Sequence, residues 1–317
     1  MRYSGIGGQA VMEGVMMKNQ DKYAVAVRKP DNSIEVKVDH YNGVIKQEKL
    51  RNLPLVRGVV SFIESLYLGM STLTYSASFF EDEEDNKTKE QENLSEAEIE
   101  KLKNKKKKQE DAMMGGTVVL SIVLALGIFF AIPYLISALL GKVIDNEWIL
   151  ALLEGVIRLA IFIGYISLIS LMPDIKRVFM YHGAEHKCIN CIEHGLELNV
   201  ENVRKSSKQH KRCGTSFLII VMLISIVFFM FIHVDSGILK LVIRLLLIPV
   251  IAGVSYEFIR LAGRYENWFT NLFSKPGMWM QNMTTKEPDD KMIEVGIASV
   301  EAIFDWKKWQ EEENKKI

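Results

Sequence analysis

The sequence predicts a mainly α-helical, polytopic membrane protein with four spans and a small β-rich cytosolic unit at its N-terminus. Three observations predict this fold class. Hydrophobic residues make up 49% of the 317 residues, they are concentrated in long runs with almost no charge, and most charged residues are segregated from them. The formal net charge is zero, so overall charge gives no reason to expect a nucleic-acid partner.

Four apolar runs are long enough to cross a hydrocarbon core of ~30 Å. They are residues 117–140, 149–172, 215–234 and 238–262. Lys and Arg are abundant before the first run and in the loop 173–214, but scarce in the two short connections. The positive-inside rule therefore predicts a multi-pass plasma-membrane protein with both termini in the cytosol. The thiols of the loop should then be reduced.

Residues 53–80 leave an alternative topology open, because they too are long enough to span. However, polar residues recur in them at helical spacing. These residues are Arg57, Ser61, Glu64, Ser65, Ser71, Thr72 and Ser76. We interpret 53–80 as an amphipathic helix that lies on the membrane or packs against the bundle. If it spanned instead, the Lys-rich run 101–108 would lie outside, against the charge rule.

The remaining segments are soluble in character. "YAVAVRKPDNSIEVKVD" alternates apolar and polar residues on both sides of a turn and predicts a β-hairpin. "GIGGQAVMEGVMMKN" is interpreted as a tight turn before the sheet; a phosphate-binding loop is the alternative, but the G-x-G-x-x-G pattern is incomplete. "DDKMIEVGIASVEAIFDWKKW" predicts an amphipathic cytosolic helix.

The chain is therefore expected to divide into seven segments. They are a β-rich unit (1–50), the amphipathic helix (53–80), a charged linker (81–112), spans one and two (113–172), a His/Cys loop (173–214), spans three and four (215–262) and a helical tail (263–317).

One short segment concentrates the residue types that bind metals. Seven of the nine His and Cys residues lie between His182 and Cys213, and such clustering is typical of a metal site. "HGAEH" matches the H-x-x-E-H pattern of inverted zinc hydrolases. On a helix, His182 and His186 lie one turn apart on one face. Glu185 is then close enough to hold or deprotonate a bound water.

A second spacing overlaps the first. Cys188, Cys191, His210 and Cys213 form C-x₂-C-x₁₈-H-x₂-C, which is typical of a closed structural zinc site. If residues 175–194 form one helix, each residue turns by ~100°. The paired histidines and the paired cysteines then point in largely opposite directions, so one ion cannot bind all four. Either the helix breaks within the segment or the chain has two distinct ligand sets.

Four motifs give the chain a resemblance to the bacterial YqhQ-like membrane family: "GGQAVMEGVMMKN", "YHGAEHKCINC", "LNVENVRKSSKQHKRCGTSFL" and "TTKEPDD". The resemblance covers the chain except the charged linker. The family is catalogued as a domain of unknown function and sometimes labelled a predicted metal-dependent enzyme, which implies a metal site but no substrate. The residues matching the family pattern are His182, Glu185, His186, Cys191, His210 and Cys213. The resemblance therefore favours a site assembled mainly from these six, in which the histidines and cysteines bind the metal. The family commonly has Thr at the position of Cys188, which implies that this thiol is incidental.

Charged residues also occur inside the predicted spans. Glu154 and Arg158 lie in span two, and Lys240 and Arg244 lie in span four. Charges at this depth are costly unless they are paired or face water. They therefore indicate either a polar path or binding pocket, or pairing and snorkelling at the membrane edge.

These patterns favour an enzyme that holds Zn²⁺, with Fe²⁺ or another divalent metal as the alternative ion. His182 and His186 are expected to bind the metal, with a thiolate or the downstream Glu257 as third ligand. Glu185 is expected to act as the general base for hydrolysis at the membrane surface.

Two further functions stay open at this point. One is a non-catalytic membrane scaffold or regulator with a structural metal site, and the other is a transporter that uses the intramembrane charges. Membrane lipids are the expected partners and no nucleic acid is expected. The sequence does not determine the substrate or the oligomeric state.

Overall fold

A computed structural model describes residues 2–43, 45, 53–80, 112–113, 115–232, 234, 236–264 and 267–315. The chain is mainly helical with a small antiparallel sheet near the N-terminus, as the sequence predicts. It divides into two compact units: Met1–Phe80 with Ile163–Ile317, and Glu81–Phe162. Nearly all of the predicted charged linker, including its Lys-rich run, lies outside the described residues.

The sheet has four antiparallel strands in the order β1-β2-β3-β4. They are β1 (Ile6–Val11), β2 (Gly14–Asn19), β3 (Lys22–Arg28) and β4 (Ile34–His40). Strands β3 and β4 form the predicted hairpin. The prediction of a mere turn at "GIGGQAVMEGVMMKN" was wrong, because this segment forms β1 and β2. Val11 pairs with Gly14, and the two residues between them make the turn, with Glu13 at φ 48°.

The described helices are numbered here in chain order. They are α1 (Val56–Ala77), α2 (Gly115–Leu140), α3 (Glu147–Ile169), α4 (Pro173–Glu193), α5 (Val200–Lys205), α6 (Gly214–Met230), α7 (Gly237–Arg264), α8 (Trp268–Thr284), α9 (Asp290–Glu301) and α10 (Trp306–Asn314).

Helices cover both faces of the sheet. Val25 and Val27 belong to a cluster with Leu68 of α1 on one face. On the other face, Ala26 belongs to a second cluster with Ile189 of α4 and Ile293 of α9. A strand buried on both faces is apolar at successive positions, which explains the run "YAVAV" in β3. This arrangement fixes α4, the helix that carries the H-x-x-E-H motif, against the sheet.

Within the part of the chain that the structure describes, three helices are long and apolar enough to cross a membrane: Gly115–Leu140, Glu147–Ile169 and Gly237–Ala262. The segment predicted as span three forms α6, an apolar helix of 17 residues. This helix is at the short end of the range that crosses a bilayer. The structure therefore supports membrane association, and a count of four spans stays a prediction.

Helix α1 turns its polar stripe toward the protein. Gln9 Nε2 donates a hydrogen bond to Thr72 Oγ1 at 2.8 Å, and the Met12 amide donates one to Ser76 Oγ at 3.0 Å. On the opposite side, Leu66 and Tyr67 are 58% and 63% exposed. Ser65 and Ser71 of the predicted stripe are exposed as well, so the outward face of α1 is mainly but not wholly apolar.

Gly14 is expected to be required for the close pairing of β2 and β3. A Cβ atom there would lie 2.4 Å from the Ala26 carbonyl oxygen, whereas one at Gly7 would meet nothing within 4 Å. We expect Gly14→Ala to lower the free energy of unfolding by about 1–3 kcal/mol and Gly7→Ala to change it by less than about 0.5 kcal/mol. Thermal unfolding of both variants in detergent checks this, and equal stability of the two would contradict the packing described.

Candidate metal centre

The H-x-x-E-H segment lies on an unbroken helix. Helix α4 runs continuously through Pro173–Glu193, so the alternative of a break within it is not observed. Gly183 allows the chain to pass close by, because a Cβ atom there would lie 2.0 Å from the Lys286 carbonyl oxygen. The Lys286 amide in turn donates to the Phe179 carbonyl at 2.8 Å. Glycine is a poor helix former, but at position 183 it lets the segment after α8 cross α4.

Two histidines and one cysteine converge beside this helix. The donor atoms of His182, His186 and Cys213 all lie within 4.8 Å of one another. His182 Nε2 lies 3.2 Å from Cys213 Sγ, and the rings of the two histidines are 4.4 Å apart between centroids. Cys213 is also the N-cap of α6, where its sulfur accepts a hydrogen bond from the Thr215 amide at 3.4 Å. This group brings together three of the six metal ligands that the sequence predicts.

Main-chain carbonyls orient both imidazole rings. His182 Nδ1 lies 2.9 Å from the Thr284 carbonyl oxygen, and His186 Nδ1 lies 2.6 Å from that of Lys208. A carbonyl only accepts, so each Nδ1 is the protonated donor and each Nε2 is left to bind a cation in the neutral ring. Metal-bound histidines are usually held in this way by a second hydrogen bond.

Side chains of α4 also hold the segment 204–209 by hydrogen bonds to the main-chain carbonyls of that segment. Lys187 Nζ donates to the carbonyls of Arg204 and Ser206 at 2.9 and 2.8 Å. Asn190 Nδ2 donates to two further loop carbonyls, those of Ser207 and Gln209, at 2.6 and 2.9 Å. The loop that leads to Cys213 is therefore positioned by α4 itself.

Helix α8 holds the same loop from the other side. Gln281, which is fully buried, accepts a hydrogen bond from the His210 amide at 2.7 Å and donates one to the His210 carbonyl at 2.7 Å. Its Nε2 also lies 2.7 Å from Ser216 Oγ at the start of α6. These contacts set the position from which α6 begins, and so the position of Cys213.

Glu185 is a buried carboxylate beside the three donor atoms. It is 5% exposed, and its Oε2 has no hydrogen-bond partner among the described residues. Oε2 lies 4.0 Å from His182 Nε2. Burial raises the pKa of Glu185, although the nearby His186 and His182 act in the opposite direction. Gly8 of β1 makes room for this side chain, because a Cβ atom there would lie 3.1 Å from Glu185 Cγ.

The electrostatics favour a thiolate at Cys213. Burial alone would raise the pKa of this thiol, but His182 and His186 outweigh burial and hold the pKa well below its usual value. Burial likewise opposes protonation of His182, yet the sulfur and Glu185 raise the pKa of this imidazole to about 9. Without a bound metal, the protonated imidazole of His182 is the cation that pairs with this thiolate, and a divalent metal would take the place of that proton.

The donor set fits Zn²⁺. One thiolate and two imidazoles are ligand types that zinc binds, and three protein ligands leave one tetrahedral position for water or substrate. Glu185 Oε2, which has no hydrogen-bond partner among the described residues, lies 4.0 Å from His182 Nε2 and would be close to such a metal. The arrangement matches a site that binds a metal and has a proton acceptor beside it.

The other predicted ligands are engaged elsewhere. Cys191 is buried on α4 and donates from Sγ to the Glu197 carbonyl at 3.3 Å. Glu257 accepts both guanidinium hydrogen bonds of Arg57, with 2.5 Å between Arg57 Nε and Glu257 Oε1. Neither belongs to the group of His182, His186 and Cys213.

His210 lies close to this group but in a separate polar network. Its ring is 5.7 Å from that of His186, and its Nε2 lies 3.6 Å from Glu193 Oε2. Glu193 also accepts hydrogen bonds from Arg212 and from the Ser4 amide and hydroxyl, the latter two at 3.0 and 2.7 Å. Burial lowers the pKa of His210. The network links Ser4, near the N-terminus, through Glu193 to His210 and Arg212, which precede α6.

The charged residues of the apolar helices are packed into the protein. Arg158 donates to Glu154 at 2.8 Å and to the carbonyl of Phe129 at 2.9 Å. In the other unit, Arg244 is 2% exposed and its guanidinium lies 5.1 Å from the ring centroid of Phe229. Lys240 is half-buried. The satisfied Glu154–Arg158 pair favours a role in joining α2 to α3 over a role in transport.

Sequence reasoning missed the residues that position the ligands. Lys187, Asn190 and Gln281 are ordinary polar residues in helices, and their role depends on carbonyls that only the folded loop supplies. The Thr284 carbonyl belongs to the motif "TTKEPDD", which the family resemblance singled out but to which spacing gave no role.

The Glu193 network predicts a loss of stability in acid. Burial alone would raise the pKa of Glu193, but its close contact with His210 and the charge of Arg212 lower it from 4.5 to about 2. Because the folded-state pKa lies below the unfolded value, the ionised carboxylate stabilises the fold above pH 4.5, and this stabilisation is lost as the pH falls toward 2. The loss is about 3 kcal/mol.

Thermal unfolding between pH 7 and pH 3 should therefore show a smaller acid-induced decrease in Glu193→Gln than in the wild type. Glu201→Gln is the matched control, since Glu201 is exposed and pairs only with Lys205 on its own helix. An identical pH dependence in all three proteins would contradict the assigned network.

Comparison with known proteins places the chain in a family. The family model "Protein of unknown function (DUF1385)" matches residues 53–306. The uncharacterized protein YqhQ of Bacillus subtilis (strain 168) is 33% identical over 295 residues, which cover 92% of this chain and 90% of that protein. No solved structure matches significantly. The resemblance predicted from the motifs is confirmed: the chain belongs to the YqhQ-like family of proteins of unknown function.

Proposed function

We propose that this protein is a metal-dependent hydrolase of the bacterial plasma membrane, with Zn²⁺ held by His182, His186 and Cys213 and with Glu185 as general base. One observation carries the proposal. Three donor atoms within 4.8 Å of one another lie beside a buried carboxylate oxygen that has no partner among the described residues. Fe²⁺ or another divalent metal is the alternative ion.

Each residue of the site has a separate role in this mechanism. When bound, the metal lowers the pKa of a water molecule to near neutrality and polarises the substrate. His182 and His186 are held by the carbonyls of Thr284 and Lys208. Glu185 accepts a proton from the attacking water and delivers it to the leaving group. Its raised pKa suits this exchange at neutral pH.

The proposed topology puts this chemistry just below the inner membrane face. It has four spans, with α6 as the shortest, and both termini in the cytosol. The exposed apolar face of α1 supports a helix that lies at the lipid interface. A substrate carried by the membrane, such as a lipid-linked ester or a peptide, is the class that this location favours.

A structural metal centre in a membrane scaffold or regulator is the second candidate. Burial favours it, because His186 is 1% and Cys213 7% exposed, and structural zinc sites are closed. In this case a fourth protein ligand completes the coordination, and Glu185 supplies it. The two candidates share the metal and differ in what Glu185 does.

Metal content tests the part that both candidates share. We expect the protein purified without chelators to contain one zinc per chain by mass spectrometry, and His182→Ala, His186→Ala and Cys213→Ser each to lose it. Cys188→Ser is a matched control for a buried thiol outside the group, and His40→Ala for an exposed imidazole. Metal-free wild-type protein, or equal loss in the two controls, would remove the proposed centre.

Glu185→Gln tests catalysis, because glutamine keeps the shape of the side chain and cannot accept the proton. We expect the zinc to be retained and the hydrolysis of a panel of fluorogenic peptides and lipid-linked esters in nanodiscs to slow by about 10²–10⁴-fold. Metal loss in this variant would instead make Glu185 a ligand of a structural site. Unchanged hydrolysis with the metal retained would contradict the role of Glu185 as general base.

A further inference from the structure

A cavity of about 350 Å³ lies where the β1–β2 turn, the β3–β4 turn, α4 and the start of α9 meet. Charged residues dominate its wall. They are the cations Arg28, Lys29, Arg177 and Lys291 and the carboxylates Glu13 and Asp289. The proposed metal ligands and the proposed general base are not part of this wall.

Both carboxylates are already used by the protein. Glu13 accepts two hydrogen bonds from Arg177, at 2.5 and 2.6 Å, and one from the Tyr181 hydroxyl at 3.2 Å. Asp289 caps α9 by accepting from the Met292 amide at 2.9 Å. The left-handed φ of Glu13, 48°, is the conformation that turns this carboxylate toward α4. Arg28 also pairs with Glu294 at 2.7 Å, and Lys29 lies 3.5 Å from Glu35 and 3.9 Å from Asp31. Lys291 is therefore the one wall cation without an ion pair among the described residues.

Two of the cations have donors to spare. Arg28 is held rigidly, with its Nη atoms bonded to the carbonyls of Asn32 and Lys291 and to Glu294 at 2.9, 2.8 and 2.7 Å. Its Nε is buried and has no hydrogen-bond partner among the described residues. The ammonium of Lys291 forms no ion pair within the described part of the chain. A fixed guanidinium with a free donor beside a free ammonium is the arrangement that binds phosphate oxygens.

The rest of the wall suits an organic group. Phe80, Pro30 and Met292 contribute apolar surface, and the carboxylate oxygens of Glu13 and Asp289 can accept hydrogen bonds from hydroxyl or amino groups. A volume of about 350 Å³ is within the range of small-molecule sites.

We propose that this cavity binds an organic phosphate that carries hydroxyl or amino groups, with the phosphate held by Arg28, Lys29 and Lys291. The same chemistry occurs in soluble phosphate esters and in the headgroup of an anionic phospholipid. The site does not depend on the metal. Arg177 and Tyr181 contribute to it from the turns of α4 that precede His182, so it adjoins the metal centre along one helix.

Binding measurements distinguish the two sources. The full chain in maltoside micelles is titrated calorimetrically with adenosine 5′-monophosphate, glycerol 3-phosphate and, for charge alone, sulfate. In parallel, native mass spectrometry counts phosphatidylglycerol retained from nanodiscs that contain phosphatidylglycerol and phosphatidylcholine. Binding of either ester supports a soluble ligand, and retention of phosphatidylglycerol alone supports a lipid headgroup. If sulfate binds as tightly as the esters, or if no probe binds, the proposal is overturned.

Variants then assign the binding to this cavity. We expect Lys29→Ala with Lys291→Ala to weaken binding of the active probe at least 10-fold. Lys37→Ala with Lys308→Ala, which removes two exposed lysines outside the cavity, should leave it unchanged. His186→Ala should also bind normally, which separates this site from the proposed metal centre. Equal binding by both double variants would contradict the proposal.

Discussion

The candidate site depends on one constraint, which is that the polar face of a buried helix must be satisfied by the backbone of another segment. His186, Lys187 and Asn190 are almost inaccessible to water, so each would destabilise the fold by about 1–3 kcal/mol if left unpaired. Their partners are main-chain carbonyls at the end of α5 and in the loop that follows it. Satisfying these groups determines the path of the loop, and that path brings Cys213 within 3.2 Å of His182.

The sheet and the other helices contribute by burying α4. Because helices cover both faces of the sheet, the side chain of Glu185 is enclosed between α4 and the backbone of β1 at Gly8. Burial in turn shapes the chemistry: it raises the pKa of Glu185, while the two imidazoles keep Cys213 ionised. A bound metal would replace the proton that His182 holds beside this thiolate, and because its ligands come from two distant segments it would stabilise the folded chain.

Periodicity and composition predicted the apolar helices, the β3–β4 hairpin and the shared face of His182 and His186, since these follow from local patterns. The third ligand, Cys213, was harder to predict because it comes from a distant segment. Spacing treated Cys191 and Glu257 like Cys213, because a sequence does not show that one thiol bonds a carbonyl or that a carboxylate is paired with Arg57. The strand β2 was missed because successive residues of it are buried, which removes the alternation that identifies a strand. The strand β1 was missed because Gly7 and Gly8 are residues that strands usually lack.

The coordination sphere is the most direct test of the central claim, that one ion is shared by two histidines and one cysteine. X-ray absorption at the zinc edge of the purified protein reports it without a substrate. The account predicts one sulfur at about 2.3 Å and two or more nitrogen or oxygen ligands at about 2.0–2.1 Å, with the sulfur signal absent from any metal bound by Cys213→Ser. Two or more sulfur ligands, or none, would contradict the assignment of His182, His186 and Cys213 as the metal centre.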